Sequence, residues 1–382
     1  MTQQELEKVI DELMKRFDEV NAFFIAKIAR QIKKIGELIP STVNMLTIMA
    51  EMNEDIAAIN QELARAMQIT VPEVKSIYQK AMNDNITDQR FARALRETPL
   101  PASSKANLYH YAEAVSRQTN GTLMNLSNTT LVSHTYRQAV DRAVLAVNSG
   151  LTDYKAATRQ AVRDVGYGGM QMQYPSGYHR RLDTAIRQNI VDGANQIAQQ
   201  GSIMMGEQLG FNAYELSAHA RSAPDHEPIQ GRVFLKEEFE KLQSAQPFQD
   251  VDGNHYGAIK RAIGEWNCMH IAMSFSTEHS KRRYSDETLR KYAEDNARGC
   301  EIDGKHYTIY QAAQYMRKLE TMVRREKDVA NAARIAGDDD LRKECQVRIN
   351  ALSRKYQTVA EASGITMRKD RMTVEGFKMV RV

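Results

Sequence analysis

The chain has 382 residues and a formal net charge of +4, from 52 Lys+Arg against 48 Asp+Glu; it is too long for one ordinary domain and too mildly charged to mark a nucleic-acid binder on that ground. The charge is uneven, because residues 281–382 hold 23 Lys+Arg and 16 Asp+Glu, or +7, which leaves −3 on residues 1–280. Cys268, Cys300 and Cys345 are odd in number and widely spaced, which excludes a disulfide framework and predicts synthesis in a reducing compartment.

From Leu6 the apolar residues recur as Leu6, Ile10, Leu13, Phe17, Val20, Phe24, Ile28, Ile32 and Ile35, steps of three and four that keep one stripe on one helix face. This charged, amphipathic start lacks the apolar run of a signal peptide, and no later window offers about 18 consecutive apolar residues, so no membrane segment is expected. Gly36 and Pro40 are expected to end the first helix. Ser41 or Thr42 can cap the next, whose stripe reads Leu46, Met49, Ile56, Ile59 and Leu63 toward Met67. VPEVKSIYQKAMNDN predicts a further helix with Pro72 in its first turn, and ETPLPASSKAN at 97–107 is the linker candidate. Residues 105–148 read as helix with a polar joint at SNTT, and GLTDYKAATRQAVRDVG as a short helix with Thr152 as its cap. GYGGMQMQYPSG reads as a turn or short hairpin, since it lacks the Gly-Lys-Ser/Thr ending of a phosphate-binding loop and a strand before it. YHRRLDTAIRQNIVDGANQIAQQ returns to helix, with Asp183 set to pair with Arg187 four residues on.

The pattern changes from about residue 210. FNAYELSAHA alternates like a short strand, QGRVFLKEEF reads as a strand leading into a helix, and the stretch to 275 is rich in turns. Beyond 280 helix resumes as a hairpin that turns at AGDDD, with Ala312, Met316, Leu319 and Val323 on one arm and Cys345, Ile349, Leu352, Tyr356 and Val359 on the other. The basic tail TMRKDRMTVEGFKMVRV is expected as an arm or an added strand. The fold class is therefore mainly α: long N-terminal helices, a small α+β module around 205–280 and a C-terminal helical hairpin. The expected domains are 1–100, 101–204, 205–280 and 281–382, the last a basic hairpin with its tail.

Chemistry-bearing residues gather in the irregular region. SAHARSAPDHEPIQGRVF brings His219, Arg221, Asp225, His226, Gln230 and Gly231, and GEWNCMHIAMSF adds Asn267, Cys268 and His270. His219, His226, Cys268 and His270 are the right types and number for tetrahedral zinc, and Cys268 and His270, two apart, point to one side of an extended segment. No paired zinc-ribbon or zinc-finger spacing occurs, so no cofactor is expected and a structural zinc is the minority alternative. Cys268 with His219 or His226 is the candidate nucleophile pair, with Asp225 available to orient an imidazole. The favoured reading is structural: a polar core that satisfies backbone groups, with Arg221 bridging carbonyls, Asn267 closing a turn and Gln230-Gly231 setting a strand entry.

These residues resemble the phage minor capsid protein 2 family, which is related to the Mu protein F-like head morphogenesis proteins. The family's Ser-Ala-His stretch, leading through Ala-Arg and a second His to Gln-Gly, is matched by Ser217, Ala218, His219, Ala220, Arg221, His226, Gln230 and Gly231. Its Asn-Cys-Arg-His signature is matched by Asn267, Cys268 and His270, with Met269 in place of the Arg. Ile229 stands where the family usually has Trp, and Gly264, Glu265 and Trp266 replace a Gly-Leu lead. The likeness continues in Arg181, Leu182 and Asp183, in Tyr310, Gln314, Arg317 and Glu320, and in Val374, Glu375, Gly376 and Phe377.

The resemblance implies a structural protein of the tailed-phage head and not an enzyme, made in the bacterial cytoplasm and carried in the virion. Its implied partners are the portal and major capsid proteins, with no membrane and no small-molecule substrate. The helical first two hundred residues would form the docking surface. An alternative is a DNA-binding accessory ejected with the genome, meeting phage DNA through the basic hairpin at Arg324, Arg325 and Lys327. A metal- or cysteine-dependent hydrolase is the third class.

Overall fold

Burial follows the apolar period of the N-terminal segment. In the computed structural model, which describes residues 3–37, 42–97, 99–128, 130–149, 154–174, 176–264 and 268–382, that segment is one helix, α1 (Gln3–Glu37). Its whole stripe from Leu6 to Ile35 is buried. The second helix, α2 (Thr42–Ile86), does not end before Pro72 but runs through it. The expectation of two helices fails because the buried stripe stays in phase across the proline, with Ile59, Leu63, Met67, Val74, Tyr78 and Met82 all buried. Packing along the stripe outweighs the hydrogen bond that Pro72 removes. On the N-terminal half of α2 the buried face is Ile48, Met52, Ile56, Ile59 and Leu63, and the expected stripe members Leu46 and Met49 are exposed. Pro40 and Ser41, the side chain of Thr42, and Thr152 lie outside the described residues.

The chain continues as α3 (Gln89–Glu97), α4 (Ala102–Asn128), α5 (Val132–Ser149) and α6 (Tyr154–Gly168). The glycine-rich stretch is an antiparallel hairpin, β1 (Gln171–Gln173) with β2 (His179–Arg181), and leads into α7 (Leu182–Gln208). The irregular region supplies β3 (Ala213–Leu216), β4 (Val233–Leu235), α8 (Lys236–Gln243), β5 (Phe248–Gln249), β6 (His255–Tyr256) and β7 (Ala272–Phe275). Then come α9 (Asp286–Arg298), the hairpin β8 (Cys300–Ile302) with β9 (Lys305–Tyr307), and two long helices, α10 (Ile309–Ala336) and α11 (Asp339–Ser363). The protein is mainly α, with only small antiparallel sheets among the described residues.

Two compact units are each assembled from three stretches of chain. One comprises Met1–Ile10, Val71–Thr122 and Gln188–Ala313. Here β3 is the centre of a three-stranded antiparallel sheet, between β4 and β7. All four of its residues are buried, Tyr214 and Leu216 on the face that packs with Phe234, Phe239 and Cys268, and Ala213 with Val233 and Phe275. The outer edge of β7 is covered by α7: Gln199 Oε1 accepts the Ala272 N–H at 3.0 Å and Ser202 Oγ the Ser274 N–H at 2.9 Å. That removes an open strand edge. In the same unit Tyr78 of α2 lies against Gly193 of α7 and donates to Thr119 Oγ1 of α4 at 3.1 Å.

The other unit comprises Asp11–Thr70, Leu123–Arg187 and Gln314–Val382. Its helical hairpin is antiparallel, as the bonds Tyr356 to Glu320 at 2.8 Å and Arg348 to Glu326 at 2.8 Å require. Asp338 caps α11 through the Leu341 N–H, and Cys345 is fully buried. The tail is neither an added strand nor a free arm. It carries a short 3-10 turn, Lys369–Met372, and is strapped down through its backbone: Lys327 Nζ donates to Met372 O at 2.7 Å, Asn331 to Glu375 O at 2.9 Å and Arg342 to Lys378 O at 3.2 Å.

A buried ion cluster lies in this second unit. Arg181 donates to Asp183 at 3.4 Å and to Asp328 at 3.1 Å, and Arg324 reaches Asp183 at 2.9 Å. Asp183 therefore pairs with Arg181 and Arg324 and not with Arg187, whose partner is Asp11. Burial opposes ionisation of Asp183, but Arg181, Arg324 and the Thr184 N–H reverse it and hold the carboxyl far below its ordinary range. Asp328, with less compensation, is pushed up by burial.

Candidate functional site

The sheet's topology brings the two motif segments together. Because β3 runs antiparallel to both neighbours, its C-terminal end lies beside the N-terminal ends of β4 and β7. The segment leaving β3 carries His219 to Gly231 and the segment entering β7 carries Cys268 and His270, so they meet at one end of the sheet. Ser217 N donates to Ile271 O at 2.9 Å and Ile271 N to Ser217 Oγ at 2.9 Å, joining the two segments directly. Gly231 sits at φ +67°, and a Cβ there would fall 2.5 Å from Leu289 Cδ2. Both the conformation and the contact demand glycine.

Cys268 is the hub. Its Sγ lies 3.3 Å from His226 Nδ1 and 3.6 Å from His270 Nδ1, and it accepts the His270 backbone N–H at 3.4 Å. His226 Nε2 lies 2.8 Å from Arg261 O. A carbonyl only accepts, so that nitrogen carries the proton and Nδ1 presents its lone pair. His270 Nε2 lies 3.3 Å from Gln230 Oε1 and 3.3 Å from Ser222 Oγ. The His219 backbone N–H donates to Gln230 Oε1 at 2.9 Å, which fixes the oxygen end of that amide, and Ser222 Oγ donates to Ala223 O at 3.3 Å. His270 Nε2 thus faces two acceptors and must be the donor. Both imidazoles point a bare Nδ1 at a sulfur that carries at most one proton.

Burial accounts for the electrostatics. It pushes His219 down to about 4, assisted by the Arg221 and His226 charges, and drives His270 far down, with His219, His226 and Arg261 adding to the shift. His226 is lowered by burial, against the Arg261 carbonyl bond. The Cys268 thiol is raised by burial, against backbone N–H groups of Gly264 and His270. With neutral rings and a protonated thiol, one buried Nδ1 has no donor among the described residues, a deficit of about 1–3 kcal/mol. His219 stacks on His270 with ring centroids 4.5 Å apart, and its Nε2 is buried with no hydrogen-bond partner among the described residues.

His219, His226, Gln230, Gly231, Cys268 and His270 therefore lie together, whereas other candidate residues stand apart. Arg221 is exposed, and no hydrogen bond joins it to a carbonyl of the described residues. Asp225 is exposed and paired with Arg261 at 2.8 Å; it lies 3.7 Å from His226 Nε2, beyond hydrogen-bond distance, and that nitrogen is taken by the Arg261 carbonyl. Asn267, with Glu265 and Trp266, lies outside the described residues. A cysteine nucleophile needs access and a lowered pKa; Cys268 is 2% exposed and its thiol is raised. Sequence reasoning missed Ser222, which lies inside the motif, and the Arg261 carbonyl, which no side-chain type announces.

The basic residues named for DNA each have an internal partner. Arg324 bonds Asp183, Arg325 lies 5.2 Å over the Tyr167 ring, and Lys327 holds Met372 O and lies 5.1 Å over the Phe377 ring.

The candidate site is thus a buried polar cluster in a mainly helical chain. Residues 1–359 match the family described as phage minor capsid protein 2, and the chain belongs to that family. No curated protein and no solved structure matches it. Its role is that of a structural minor capsid component that assembles with other virion proteins. Among the described residues no helix is long and apolar enough to cross a membrane.

Proposed function

We propose that the protein docks on the portal during assembly of a tailed-phage head and stays with the head, acting in packaging or delivery of the genome. Membership of a minor capsid family over residues 1–359 carries this reading. Exposed apolar side chains on α2 support it: Leu46 is 63% and Met49 47% exposed, about one turn apart on one helix face. Apolar residues at that spacing are the usual anchors of a helix docked against a partner.

The test is affinity co-purification of the tagged protein with the portal protein from infected cells. The wild type is expected to retain the portal through washing. Leu46→Lys with Met49→Lys should lower recovery about a hundredfold or more, the loss expected when two buried apolar side chains of about 1.5–3 kcal/mol each are removed. Absence of the portal from the wild-type eluate would overturn the docking. Equal recovery with the double variant would overturn α2 as its site.

A further inference from the structure

The donors and acceptors around Cys268 are out of balance as a hydrogen-bonded turn, and they balance around a cation. We propose that His226 Nδ1, Cys268 Sγ and His270 Nδ1 hold a structural zinc ion, with His219 as the fourth donor. Sequence spacing favours the hydrogen-bonded alternative, since none of the usual paired zinc spacings is present.

Distance is the first argument. Tetrahedral zinc with Zn–S of about 2.3 Å and Zn–N of about 2.05 Å separates a sulfur from a nitrogen ligand by about 3.6 Å. The two sulfur–nitrogen separations are 3.3 and 3.6 Å, and one ligand atom from each of the three residues lies within 4.8 Å of the others. No large rearrangement is needed to admit the ion.

Tautomer is the second. A histidine ligand is ordinarily oriented by a hydrogen bond from its other nitrogen to a carbonyl or carboxylate. Here Nε2 of His226 is held by Arg261 O at 2.8 Å, and Nε2 of His270 by Gln230 Oε1 at 3.3 Å. Both rings are preset to offer Nδ1. The sulfur already accepts the His270 N–H at 3.4 Å, a bond that favours thiolate over thiol. On binding, the Cys268 proton leaves to solvent and the zinc accepts lone pairs from the thiolate and the imidazoles, with no change of oxidation state.

His219 supplies the independent observation. Its Nε2 is buried with no hydrogen-bond partner among the described residues, and its ring packs on that of His270. The remaining tetrahedral position is assigned to a neutral nitrogen of this ring, which lies outside the three-residue group.

This inference does not depend on portal docking and can fail alone. The full-length protein, purified without a metal-affinity tag, is analysed for bound metal, then stripped with a chelator and titrated with zinc or cobalt(II). About one zinc per chain is expected. The cobalt form should show the intense visible bands of a tetrahedral site and the charge-transfer band of a cysteinate–cobalt bond. Cys268→Ser should abolish the charge-transfer band, His226→Gln and His270→Gln should lower zinc affinity at least a hundredfold, and Gln230→Ala about tenfold, as loss of an outer partner does. His219→Ala should weaken the tetrahedral bands. If it leaves them unchanged, His219 is not a ligand. A wild-type protein that binds no zinc at micromolar concentration while retaining its helical circular dichroism would overturn the site; so would binding unchanged in Cys268→Ser. Because the variants can disturb folding, chelator-stripped wild type provides a second reading: zinc should slow modification of Cys268, followed by peptide mapping, at least tenfold in mild denaturant, and no slowing at Cys268 would count against the site.

Discussion

Arg181→Met tests the buried ion cluster of the second unit. The guanidinium is 7% exposed and bonds Asp183 and Asp328, themselves 8% and 2% exposed. After substitution Asp183 keeps Arg324 at 2.9 Å and the Thr184 N–H at 2.7 Å, but among the described residues Asp328 keeps only the Asn21 amide at 3.4 Å as a direct bond. An uncompensated buried charge costs about 3–5 kcal/mol. Asp328 is already raised by burial, and losing Arg181 raises it further. The added cost is full above its folded-state pKa and fades as pH falls toward the unfolded value of 3.8. Urea denaturation of the full chain, followed by circular dichroism, should show a loss of about 3–5 kcal/mol at pH 8 and clearly less at pH 5. Arg181→Met with Asp328→Leu should recover most of it, because a buried ion pair exchanged for apolar side chains is often neutral or stabilising. A single-variant loss below about 1 kcal/mol, the scale of an exposed pair, or no recovery in the double variant, would refute the reasoning.

Asp18 gives a second pH effect of defined sign. Burial and then the Asp183 charge push it up to about 7, so the folded state keeps a proton that the unfolded state has lost, and stability falls as pH rises from about 4 to 7. Asp18→Asn should raise stability at pH 8 by about 1–2 kcal/mol, discounted from the nominal shift because the side chain is partly solvated, with no gain at pH 4; a loss at pH 8 would contradict the account. Gly231→Ala should cost about 2–3 kcal/mol, from its positive φ and the Leu289 contact. A melting temperature unchanged from wild type would show that the strand entry relaxes.

Much of the helical architecture is legible in the chain because a helix stripe is a local record of burial. The α1 stripe from Leu6 to Ile35 is buried position for position. Where local rules failed, a longer-range contact had won. Pro72 signals a helix start, but the buried stripe passes through it. Asp183 and Arg187 stand four apart, yet Asp183 is drawn to Arg181 and Arg324. The tail alternates like a strand, but its carbonyls are taken by Lys327, Asn331 and Arg342. At the candidate site, residue types were legible and proton positions were not. The tautomers of His226 and His270 are set by Arg261 O and Gln230 Oε1, contacts 35 and 40 residues away in sequence.

The composition of heads assembled by a phage lacking this gene, and their delivery of DNA, decide whether the protein is a portal-bound component of the head. Wild-type particles should contain the protein together with the portal, and particles made without it should be defective in head composition or DNA delivery. Mutant heads with normal composition that deliver their DNA normally would contradict that role.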